Sequence, residues 1–99
     1  MKIIVTGGAS GIGKAITESL RSASFEVVSA DTNPQNGDQK LDVADENSWK
    51  ELFDRIGTVD GLVNCAGIRT RNLIVDTSLE EFEKHLKVNL TGTWLGIRS

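Results

Sequence analysis

The sequence predicts an α/β fold: a parallel sheet flanked by helices, with its strands in the order 3-2-1-4. Short runs rich in β-branched residues alternate with stretches whose apolar residues recur at helical spacing, as a parallel sheet with helices on its faces requires. Glycines cluster at 7–13, directly after the first apolar run, so the first strand feeds a tight turn into the first helix. Right-handed crossovers then leave one arrangement. The first helix carries the chain outward from strand one to strand two; the second carries it back from strand three to strand four, on the far side of strand one. The two helices fall on opposite faces. The switch point lies between strands one and four, and sheets of this kind take their ligands there, at the carboxyl ends of the strands.

The elements follow in order. Residues 2–6 read as a strand buried on both faces, an apolar run ending in Thr6. After the turn at 7–11, Ile12, Ala15, Ile16 and Leu20 mark an amphipathic helix over 12–22. Residues 26–30 form the second strand, and the turn-rich stretch 31–38 leads to a weak third strand over 39–43. That connection is short for a parallel crossover, which implies a third strand of only two or three residues. Asp45 caps a helix whose Trp49, Leu52, Phe53 and Ile56 share one face and which Gly57 closes. Residues 59–64 form the fourth strand and 65–77 a loop. Ser78 and Glu81 make a capping box, and Phe82, Leu86 and Leu90 carry one helix toward the C-terminus.

Bulk composition excludes several functions. The chain of 99 residues suits a single domain, with 25% charged and 38% hydrophobic residues and a net charge of −3. No basic run follows a phosphate backbone, so nucleic acid is not an expected partner. No apolar run spans a membrane, and Met1 to Thr6 is too short for a signal-peptide core. The single cysteine, Cys65, excludes an internal disulfide and a multi-cysteine metal site; no metal is expected, and a reducing, cytoplasmic setting fits.

The motif Thr6-Gly7-Gly8-Ala9-Ser10-Gly11-Ile12-Gly13 sits between a strand and a helix. Glycines there let backbone N–H groups approach a pyrophosphate, and the helix N-terminus adds partial positive charge. Without a ligand, the same motif is simply a sharp strand-to-helix turn. Its spacing, Thr-Gly-x-x-x-Gly-Ile-Gly, resembles the signature of the short-chain dehydrogenase/reductase family. Three further motifs fit that resemblance. Asp42-Val43 follows the third strand, Asn64-Cys65-Ala66-Gly67 follows the fourth, and Asn89 stands in the last helix. The resemblance covers the whole chain and implies a Rossmann-like, NAD-binding domain over residues 1–99.

The resemblance implies roles for particular residues. Gly7, Ser10, Gly11, Ile12 and Gly13 would hold the pyrophosphate. Asp31 ends the second strand, where an acid can accept hydrogen bonds from the adenosine ribose and repel a 2′-phosphate. No Lys or Arg occupies Ser10 or Thr32, so NAD is expected over NADP. Taken alone, Asp31 also reads as a solvated turn aspartate, and Asp42 as a strand end. Asp42 and Val43 would contact the adenine. Asn64, Ala66 and Gly67 would flank the cofactor, with Cys65 replacing the family's second Asn. Asn89 matches the helix Asn that supports a proton relay; otherwise it is a surface-facing polar residue. Cys65 reads as a small core residue, Trp49 and Trp94 as packing residues, Lys14 as exposed and His85 as solvated. Arg69 and Arg71 read as solvated loop residues within range of an anionic substrate.

The resembled family transfers hydride between the cofactor and a small alcohol or ketone. It uses a tyrosine acid in Tyr-x-x-x-Lys, assisted by a serine on the preceding strand. These 99 residues contain no tyrosine, and Ser99 does not end a strand. The domain is therefore expected to be truncated before the catalytic Ser/Tyr/Lys part. Two alternatives to an oxidoreductase follow: a fragment that only binds NAD, or one that assembles through an uncovered strand edge. Homo-oligomers are expected, and the isolated chain should be marginal in stability or solubility.

Overall fold

The computed structural model describes residues 1–69 and 73–99. Four parallel strands form one sheet in the order β3-β2-β1-β4: β1 is Lys2–Thr6, β2 Glu26–Asp31, β3 Gln39–Lys40 and β4 Gly61–Asn64. β1 lies at the centre, with Ile4 opposite Val28 on one side and Leu62 on the other. Ile4, Val5 and Thr6 are fully buried, which is why this run carries no polar alternation.

Two helices cover the faces. α1, Gly11–Ser22, lies against β1 and β2, with Thr17 buried beneath it. α2, Glu46–Ile56, begins at Asp45, whose carboxylate accepts the Asn47 N–H at 2.9 Å. Trp49 and Leu52 of α2 are fully buried and join Ile4, Ala30, Leu41, Val43 and Leu95 in the core. The Trp49 indole N–H donates to Val43 O at 2.9 Å.

The third strand has two residues, as the short connection implied, and ends at Lys40 rather than running through 39–43. After Lys40 the Asp42 carboxylate accepts the Ala44 N–H and Asp42 O accepts the Asp45 N–H, turning the chain into α2. Leu41 and Val43 are apolar because they pack in the core, not because they pair in the sheet. The fourth strand likewise starts at Gly61, since Asp60 is engaged in a two-way pair with the backbone of Lys2.

The loop after β4 contains a 3-10 turn over Ile74–Asp76. Where one regular helix was expected there are three pieces: α3, Leu79–Leu86; a π-turn, Lys87–Thr91; and α4, Gly92–Arg98. Ser78 Oγ accepts the Glu81 N–H at 3.1 Å, as the capping box requires. The widened turn lies just before Gly92, where an added Cβ would stand 2.7 Å from Val43 Cγ2. Gly96 faces Trp49 as closely, at 2.8 Å. These two glycines let α4 press against the core.

The opposite side of this helical run is uncovered. Leu79, Phe82, Leu86, Leu90, Trp94 and Ile97 recur at three- and four-residue spacing and are all exposed. Trp94 therefore does not pack in the core as expected; the Arg98 guanidinium stacks on its ring at 4.6 Å and also pairs with Glu46. Among the described residues β4 pairs on one side only, with β1. Among them, too, no helix is long and apolar enough to cross a membrane.

Candidate functional site

A cleft of about 670 Å³ opens at the carboxyl ends of the strands. Its floor comes from the turn after β1, the end of β2 and residues 41–44. Its walls come from residues 65–68 and the α3 side of the helical run. The switch point of the strand order lies within it, where a doubly wound sheet binds ligands.

The glycine turn is built by close approach. Gly7 has φ +68°, and a Cβ there would stand 2.9 Å from both Cα and N of Ala66. A Cβ on Gly13 would stand 2.1 Å from Gly7 O. The first turn of α1 therefore folds tightly over the strand end and aims its N-terminus at the cleft. Ser10 caps that end with extended backbone, makes no capping hydrogen bond through its side chain, and lines the cleft. No acid sits in the first turn of α1 to offset its partial positive charge. Ile12 is exposed at the lip, an apolar surface available to a ligand. Gly11 has φ +56° and open space around it; it shapes the turn and does not line the cleft.

Asp31 lines the cleft and ties the turn to β2. Its Oδ2 accepts the Ala9 N–H at 3.1 Å and its Oδ1 accepts the Asn33 N–H at 3.0 Å. Each oxygen keeps a second lone pair for a ligand hydroxyl. It is thus an organised carboxylate, not a freely solvated turn residue. Asp42 lines the cleft with its carboxylate on Ala44 N–H, and Val43 lies beside it, nearly buried.

Thr6 had no assigned role beyond ending the first strand. Its buried Oγ1 accepts the N–H groups of Cys65 and Ala66, both at 3.1 Å, and so joins the β1 turn to the β4 loop. The available signal was a lone hydroxyl at the end of an apolar run, just before the glycines. Thr6→Val keeps the shape and leaves two N–H groups without that acceptor. It is expected to destabilise the chain by about 2 kcal/mol in urea unfolding, with Thr6→Ser restoring most of the loss; a Thr6→Val chain as stable as the parent would refute this bridging role.

Cys65, Ala66 and Gly67 line the cleft. Cys65 is half-buried on its wall, not a core residue as expected. Asn89 holds this wall from behind. Its Oδ1 accepts the Ile68 N–H at 2.8 Å and its Nδ2 donates to Ile68 O at 3.0 Å. Gly67 runs close beneath, where a Cβ would stand 3.1 Å from Asn89 Oδ1. Asn89 is therefore neither a loose surface amide nor a cleft residue; it clamps the backbone that forms the wall. Asn64 is turned away, onto a shallow hollow beside Gly61, Leu62 and Ile97.

The remaining candidates stand apart. His85 is half-buried, with Nδ1 at 2.6 Å from Glu81 O, so it is not the solvated residue expected. Lys14 and Arg69 are exposed and do not line the cleft, and Arg71 lies outside the described residues. Among the described residues no group of three or more His, Cys, Asp and Glu could hold a metal ion.

Comparison with known proteins agrees with this fold. The family model described as short chain dehydrogenase matches residues 1–99. An uncharacterized oxidoreductase of Thermotoga maritima is 35% identical over 93% of the chain and 43% of that protein. An NADP-dependent (R)-specific alcohol dehydrogenase of Lentilactobacillus kefiri is 34% identical over 96% of the chain and 45% of that protein. The ligand-free aldohexose dehydrogenase of Thermoplasma acidophilum superposes with a TM-score of 0.85 at 28% identity, over 98% of the chain and 41% of that protein. The chain thus spans less than half the length of each. With a matching family model over all its residues and such relatives across nearly its whole length, the chain belongs to the short chain dehydrogenase family.

Proposed function

We propose that residues 1–99 are the dinucleotide-binding part of an NAD-dependent oxidoreductase acting on a small alcohol or ketone. One observation carries this reading: the α1 N-terminus, closed tightly by Gly7 and Gly13, shares a cleft with the Asp31 carboxylate. The pyrophosphate fits at Ser10 and the first turn of α1, where N–H groups and helix charge face it. Asp31 accepts from the adenosine ribose hydroxyls, Asp42 and Val43 border the adenine, and Ala66 and Gly67 border the path toward the nicotinamide. When bound, the nicotinamide supplies the site that accepts or gives up hydride. This chain's residues bind and orient. Asn89 acts at a distance by holding the Ile68 backbone.

Proton transfer needs an acid matched to the working pH. The tyrosine that the family resemblance implies is absent from these residues, so we assign that step to groups outside them. By themselves the 99 residues bind without turnover. The apolar stripe on α3 and α4 supports self-association of the protein, and the lone cysteine a cytoplasmic site.

The NAD preference rests on Asp31. The Lentilactobacillus relative is NADP-dependent by name, so the preference is tested directly by titrating the chain with both cofactors. NAD is expected to bind at least about tenfold tighter, because the Asp31 carboxylate faces the position of a 2′-phosphate. Asp31→Asn removes the charge at nearly constant shape and is expected to narrow that ratio. Tighter binding of NADP by the parent chain would reverse the assignment.

A further inference from the structure

We propose that Lys84 and Lys87 form a cationic rim that draws a ligand's phosphate groups into the cleft and sets affinity by salt-screened attraction; this rests on the dinucleotide reading. Lys84 stands in the last turn of α3, and Lys87 opens the π-turn three residues on. That spacing puts both on one side of the helical run, and both line the cleft. Among the described residues no other cationic side chain does so. Both are exposed, and neither ammonium has a hydrogen bond or ion pair there.

The cleft's remaining charges explain why a rim is needed. Asp31 and Asp42 line the same cleft, and the whole chain carries a net charge of −3. A dianionic diphosphate approaching those two acids alone meets repulsion. The two lysines balance them, so the mouth is locally neutral while the α1 N-terminus supplies the attraction within. Two neighbouring ammonium groups also repel each other, and an anion between them relieves that repulsion. Lysine carries its charge on a long flexible stem. Its effect on a ligand therefore acts over distance, without a fixed contact, and is screened by salt.

The test compares the Lys84→Gln/Lys87→Gln double variant with the parent and with Lys50→Gln, which removes a charge from α2 away from the cleft. NAD binding is measured by calorimetry at ionic strengths of about 0.02 M and about 0.5 M. The expected result is a Kd about three- to tenfold higher in the double variant at low salt. Parent and double variant should converge at high salt, with Lys50→Gln matching the parent throughout. Equal affinity of double variant and parent at low salt overturns the proposal. So does a loss that persists at high salt, or one shared by Lys50→Gln. A parent chain that binds no NAD at either salt overturns the dinucleotide reading itself, and the rim with it.

Discussion

Trp49→Ala is expected to destabilise the chain by about 4 kcal/mol, a large share of the roughly 5–15 kcal/mol by which native domains are stable. Trp49 is fully buried, stacks against Phe53 at 6.3 Å between ring centroids, and fills the space that Gly96 leaves open. Removing it empties the contact between α2, α4 and the sheet. Its indole N–H also holds Val43 O, so the loss extends to the cleft that Val43 lines. Trp49→Phe separates the two contributions. It keeps most of the apolar volume and leaves Val43 O unpaired, at an expected cost of about 1–3 kcal/mol. Urea unfolding followed by far-UV circular dichroism orders the three chains. Equal stability of Trp49→Phe and Trp49→Ala would show that the hydrogen bond, not packing, dominates.

Alanine at Gly13 is expected to cost about 3 kcal/mol and to abolish NAD binding. The added Cβ would lie 2.1 Å from Gly7 O, a backbone atom that cannot rotate aside, so the first turn of α1 must move away from the strand end. That movement takes the helix N-terminus from the cleft. Alanine at Gly11 provides the contrast. Nothing lies within 4 Å of its Cβ position, and only the positive φ is unfavourable, at about 1–2 kcal/mol. Gly11→Ala is therefore expected to retain NAD binding. Calorimetric titration of both variants checks the pair. Retained binding by Gly13→Ala would mean that the close packing of the turn does not position the nucleotide site.

The architecture was legible because the signals were local and periodic. The buried run of β1, the helical spacing of α1 and α2, and the caps at Asp45 and Ser78 each state their element without tertiary context. Crossover handedness then decides the strand order. What sequence spacing could not convey was where apolar residues leave the sheet. Leu41 and Val43 look like strand and serve as core, because an Asp42 turn intervenes. The π-turn was hidden for a similar reason. Its setting depends on Asn89 meeting Ile68 across the cleft wall and on Gly92 meeting Val43, both long-range contacts.

The lining of the cleft was readable in part from residue types. Gly7, Ser10, Ile12, Gly13, Asp31, Asp42, Val43, Ala66 and Gly67 do share the cleft. Asn64 does not: it is the last residue of β4 and lies on the hollow beside Gly61, Leu62 and Ile97, while the loop that follows it lines the cleft. Thr6 was missed because its value lies in two N–H groups distant in sequence. Lys84 and Lys87 belong to no motif, and only the fold brings them to the cleft.

Gly8 approaches β2 so closely that a Cβ there would stand 2.0 Å from Ser29 Oγ, a buried hydroxyl with no hydrogen-bond partner among the described residues. The two residues occupy one shared volume between the glycine turn and the sheet. A side chain at position 8 would have to displace the Ser29 hydroxyl and would still meet Ser29 Cβ at 3.0 Å and Val5 O at 3.2 Å, so the room at one position depends on the residue at the other. The strand thereby sets how closely the glycine turn can seat on the sheet, one residue beyond the Gly7 position that lines the cleft.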